Sequence, residues 1–130
     1  METQNLWPDF AIETTKSPKA ILKEQAGYLM EKTKNVLSAD VETSHYKGSV
    51  SHEFYVVVPA LNNYRYRLFS VSHEAIGYYP LTVVIDDNNP WETDAKIGNE
   101  KDFLSGLSNV FKAPETVRVI SSLLSQSLTE

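Results

Sequence analysis

Val50-Ser51-His52-Glu53-Phe54-Tyr55-Val56-Val57-Val58-Pro59-Ala60-Leu61-Asn62-Asn63-Tyr64-Arg65-Tyr66-Arg67-Leu68-Phe69-Ser70-Val71-Ser72-His73-Glu74 reads as two strands folded back on each other. β-Branched and aromatic residues fill both arms, and an Asn-Asn step, which tolerates left-handed backbone, lies midway. The tetrapeptide Val-Ser-His-Glu occurs at both ends, at Val50 and at Val71. With Asn62 and Asn63 as the two central residues of a tight hairpin, His52 opposes His73, Phe54 opposes Val71 and Val56 opposes Phe69. Phe54, Val56, Phe69 and Val71 then share one face, leaving Tyr55, Val57, Tyr66 and Leu68 on the other.

Upstream, residues 39–46 alternate weakly and Lys47-Gly48 supplies a second turn. That register pairs Val41 with Phe54, Thr43 with His52 and His45 with Val50, which puts all three histidines of the chain on one face at one end of the sheet. Three imidazoles on neighbouring strands suit zinc with a fourth position open to water, giving a metal-binding protein or metal-dependent enzyme built on His45, His52 and His73 as one reading. The same alternation turns Glu53 and Glu74 away from the imidazoles and sets the histidines in a nearly straight row, a poor start for a tetrahedral site. A cluster that changes charge with pH and three separate rim histidines are the competing readings. Ser51 and Ser72 adjoin histidines but face the opposite way, so no serine–histidine nucleophile pair is expected.

The remaining chain supplies helices. Ser17-Pro18 is an N-cap followed by proline at the first helical position, and Leu22, Ala26, Leu29, Thr33 and Val36 form a stripe at spacings of three and four, predicting a helix to about Leu37. A fourth strand is expected over Tyr79–Asp86, then a polar loop from Asn88-Asn89-Pro90 to about Gly98. Beyond a cap at Asn99, Phe103, Leu104, Leu107, Val110 and Phe111 mark one helix; after Pro114, Val117, Ile120, Leu123 and Leu124 mark the apolar side of another. The expected fold is α+β: an N-terminal helix, a four-stranded antiparallel meander and two C-terminal helices packed on the sheet. Residues 1–15 read as an extended arm whose Leu6, Trp7 and Phe10 lie against a single domain spanning 16–130.

Composition bounds the chemistry. The chain has 130 residues, 42% of them hydrophobic, no cysteine and a formal charge of −5. One domain with a real core is expected, and thiolate metal sites, disulfides and cysteine nucleophiles are excluded. The acidic balance opposes phosphate-backbone binding, and Tyr64-Arg65-Tyr66-Arg67 splits its stacking and clamping groups between two faces, so a weak nucleic-acid binder is a minor alternative. No stretch reaches the roughly 20 apolar residues of a membrane span, and Met1–Phe10 lacks the pattern of a secretory leader, so a cytoplasmic protein is expected. Asp86, Asp87, Glu92 and Asp94 surround Trp91; the set lacks EF-hand spacing but suits an aromatic anchor with carboxylates that steer a basic protein partner. The apolar outer sheet face, with Tyr55 and Tyr66, is a further binding surface, for a protein partner or another copy of the chain. No catalytic motif or cofactor cradle is present in the sequence. A non-catalytic protein-binding module, adaptor or inhibitor is therefore the leading expectation.

Overall fold

A computed structural model describes residues 3–11, 15–85 and 95–129. It begins with α1 (Pro18–Lys32), continues through β1 (Ser38–Tyr46), β2 (Ser49–Val58), β3 (Tyr64–Glu74), β4 (Leu81–Val84) and β5 (Ala95–Ile97), and ends with α2 (Glu100–Lys112) and α3 (Pro114–Leu128). The five strands form one antiparallel sheet in sequence order. The α+β class and the helix–sheet–helix–helix order follow the expectation, with one strand more than foreseen. β5 lies where the sequence indicates a loop; three residues are too few to display a period.

Local chemistry explains the boundaries. The Ser17 hydroxyl accepts the amide hydrogen bond of Ala20 and starts α1. The helix stops five residues short of Leu37 because Lys34 and Asn35 take left-handed backbone, while the Thr33 hydroxyl donates to the Leu29 carbonyl. Asn99 caps α2 by accepting from the Asp102 amide, and Pro114 opens α3 at a corner made by extended Ala113.

The β1–β2 register is the expected one, with Thr43 opposite His52 and His45 opposite Val50. Lys47 and Gly48 both have positive φ, as a two-residue turn of this hand requires. The β2–β3 register differs from the tight-hairpin expectation. Pro59–Leu61 form a 3-10 turn before left-handed Asn62 and Asn63, so the connection has five residues, and a bulge leaves Leu68 without a partner between the pairs Tyr55–Arg67 and Phe54–Phe69. His52 consequently opposes Val71, and His73 opposes Val50. The slip is two residues at the histidine end, which preserves the face; nearer the turn it is odd, which exchanges the faces.

The helices cover one side of the sheet. One core joins Ile21 and Leu22 of α1, Phe103 and Leu107 of α2, and Phe54, Phe69, Val71 and Leu81 of the sheet. Phe54 and Phe69 stack at 5.2 Å, and Phe111 meets both at a tilt. Another cluster, beneath α3 at the turn end, contains Leu37, Val56, Val58 and Leu123.

Candidate functional site

The histidines separate into a pair and an outlier. His52 and His73 are buried with their Nε2 atoms 3.0 Å apart, whereas His45 is exposed and lies across Val50 from His73. Their bonds define one neutral arrangement: Thr43 donates its hydroxyl to Nδ1 of His52 (2.9 Å), His52 Nε2–H donates to Nε2 of His73, and His73 Nδ1–H donates to the Glu74 carbonyl (2.8 Å). Burial foremost, with the neighbouring His73, Lys19 and His45 acting in the same direction, lowers the His52 pKa to about 4. Among the described residues no three histidine or carboxylate groups are placed to hold a metal ion. The pair is a satisfied polar link between β2 and β3.

The outer sheet face is not the apolar surface anticipated. Because of the five-residue turn, Tyr66 lies opposite Val56 and packs on the helix-side core, and the Leu68 bulge also turns that side chain inward. Tyr55 stays outside beneath the Arg65 guanidinium, 4.3 Å from its ring centroid. Arg65 bridges Glu42 (2.9 Å) and Asp40 (3.3 Å), Glu53 accepts from the Tyr55 hydroxyl, and Ser51 hydrogen-bonds Ser72. Tyr55 and Tyr66 thus stand on opposite faces and form no joint surface. Trp91, Asp86, Asp87, Glu92 and Asp94 lie outside the described residues.

A large apolar opening lies between the helices. Gln25, Tyr28, Leu29 and Lys32 occupy one stripe of α1 at i, i+3, i+4 and i+7; across from them stand Leu104, Leu107, Ser108, Phe111 and Lys112 of α2 and Val117, Ile120 and Ser121 of α3. Phe54 and Leu68 form the floor, so the bulge supplies part of it. The groove encloses about 690 Å³. Leu104 and Val117, which the sequence assigns to covered helix faces, are 44% and 50% exposed. Helical period identifies an apolar stripe but not whether the neighbouring helix closes over it. That gap hid the groove from sequence reasoning.

A more polar trough of about 550 Å³ runs from Thr15 and Lys16 past Glu24 and Glu100, and shares Gln25, Tyr28 and Leu104 with the apolar groove. The N-terminal arm precedes Thr15 in the chain. Leu6, Trp7 and Phe10 are 83%, 75% and 73% exposed instead of lying against the body, with the two aromatic rings 6.0 Å apart.

The groove's lining contains neither a carboxylate nor an imidazole. Its charged groups are Lys32 and Lys112, and neither forms an ion pair among the described residues. Such a lining can desolvate apolar side chains and attract nearby anions, but offers no acid–base couple. Among the described residues no helix is long and apolar enough to cross a membrane. Compared with known proteins, the chain matches no family model, no curated protein and no solved structure.

Proposed function

We propose that this protein is a non-catalytic protein-binding module whose groove between α1 and the α2–α3 hairpin receives a short apolar segment of an acidic protein partner. The observation that carries the reading is an open apolar trough whose charged lining residues are two lysines. A volume near 690 Å³ accommodates a few bulky side chains, and the polar trough alongside, which shares Gln25, Tyr28 and Leu104 with it, favours an elongated occupant over a compact one. Docking of an apolar stripe between helices uses the same burial that builds a core, while Lys32 and Lys112 select carboxylates beside it. The preferred partner charge is opposite to that anticipated from the Asp86–Asp94 segment.

Selection from a displayed library of random dodecapeptides tests this reading on the full chain. Enriched peptides should carry two or more bulky apolar residues beside Asp or Glu, and should lose binding when Val117→Arg or Leu104→Arg fills the opening. Both substitutions are at half-exposed positions, so the fold tolerates them. Peptides insensitive to both changes would place recognition elsewhere. Failure to enrich any peptide, together with saturable uptake of an apolar anionic dye, would make the groove a small-molecule pocket.

A further inference from the structure

We infer that the groove's first occupant is the chain's own arm: residues 6–10 fold back along α1 and seat Leu6, Trp7 and Phe10 between the helices, so an external partner must displace them. This rests on the groove reading above and names its regulation.

Three observations converge on the arm. The first is chemistry. Leu6-Trp7-Pro8-Asp9-Phe10 contains three large apolar side chains and one carboxylate, the combination the apolar walls and the lysines Lys32 and Lys112 call for. Those apolar side chains are highly exposed and have no core of their own.

The path is the next. The polar trough is lined by Thr15 and Lys16, the first described residues after the arm, and borders the apolar groove, with which it shares Gln25, Tyr28 and Leu104. A chain leaving Thr15 along this trough arrives beside the groove at those three residues.

The third is reach. Phe10 is five residues and Trp7 eight residues from Thr15, or about 17 Å and about 27 Å at roughly 3.4 Å per extended residue. Along α1, Tyr28 is ten residues and Lys32 fourteen from Pro18, or about 15 Å and about 21 Å at 1.5 Å per residue. Thr15 lines the same trough as Glu24, Gln25 and Tyr28, so the arm starts beside the first turns of α1 and not beyond Pro18, which puts the junction of the two troughs within reach of Phe10 and the lysine end of the groove within reach of Trp7.

Tethering makes a weak contact effective. A short linker gives an effective concentration on the order of 1 mM, so a segment that binds at about 100 µM when free is about nine-tenths seated when attached. A competitor then binds the native chain about tenfold more weakly than a chain whose arm cannot dock.

The test measures fluorescence polarisation of a labelled synthetic peptide of residues 3–14 added to three full-length proteins: native, L6A/W7A/F10A, and L6A/W7A/F10A with Val117→Arg. The substituted arm residues are exposed, so the body folds in each. The expected result is clear binding to the triple variant, about tenfold weaker binding to the native chain, and loss on adding Val117→Arg. Equal affinity for native and triple variant, both sensitive to Val117→Arg, would overturn the internal occupant while leaving the groove as a peptide site. No binding to the triple variant would also overturn it, and the displayed-peptide selection then decides the groove reading separately. Concentration-dependent dimers in sedimentation, abolished by the arm substitutions, would overturn the internal arrangement in favour of arms exchanged between two copies.

Discussion

At the histidine end of the sheet, His52 and His73 are buried and every ring nitrogen has a hydrogen-bond partner; between α1 and the α2–α3 hairpin, Leu104 and Val117 are apolar and half exposed. Phe54, part of the groove floor, lies two residues beyond His52 on the same buried face of β2. The histidine pair has the residue types of a site, yet its geometry is that of a structural cross-link. The groove walls have the periodicity of core, yet they leave apolar area uncovered. Residue type therefore misleads in both directions, and satisfaction of hydrogen bonds against coverage of apolar area separates the roles.

The sharpest way to break this comparison is stability. Phe69 is fully buried and stacked on Phe54, so Phe69→Ala is expected to cost about 3–5 kcal/mol in urea unfolding. Leu104→Ala, at a half-exposed position in the groove wall, should cost no more than about 1 kcal/mol. Similar losses for the two would mean that the groove is closed in solution and that Leu104 is core.

Acid gives the next largest effect and belongs to the histidine end. His52 has a folded pKa of about 4, below the ordinary 6.5, so between those values the unfolded chain binds the proton more readily than the folded one. Its neutral burial is fully stabilising above pH 6.5, and that contribution is lost as pH falls through 6.5 toward 4, a change on the order of 3 kcal/mol. Urea midpoints across pH 4–7 should show this decline. Replacing both His52 and His73 with Leu should flatten it with little loss at pH 7, since the two Nε2 partners leave together and the Thr43 hydroxyl and Glu74 carbonyl, at half-buried and exposed positions, can turn to water; His52→Leu alone orphans the buried Nε2 of His73 and should cost about 1–3 kcal/mol. If the double variant retains the same acid slope, the pair is not its source.

How far the sequence discloses each region follows from the range of the interactions involved. Ser17, Asn99, Pro114 and the Lys47-Gly48 turn act within a few residues, so the α1 start, the α2 and α3 starts and the β1–β2 register can be read directly. Asn62 and Asn63 do adopt the left-handed backbone their type favours, but Pro59–Leu61 turn first, and the bulged Leu68 is buried in a core completed by helices far along the chain. Those two features move Tyr66 from the outer face to the core side and make His52 and His73 diagonal neighbours. The groove is less legible still. Its existence depends on the separation of α1 from the α2–α3 hairpin, a tertiary distance that no local pattern encodes.

The smallest effect on the fold separates binding from stability most cleanly. Lys32 and Lys112 are exposed, form no ion pair among the described residues and line the groove. Replacing both with Gln keeps most of their length and removes two charges, so unfolding free energy should change by no more than about 0.5 kcal/mol. Affinity for an acidic apolar peptide should nevertheless fall several-fold at low salt, and the difference from the native protein should narrow as salt rises through about 0.15 M, where charges separated by more than roughly 8 Å are screened. An apolar peptide without carboxylates should bind both proteins alike. Equal loss for the acidic and neutral peptides would show that the lysine stems, rather than their charges, form the groove wall, and the occupant would then be selected by shape alone.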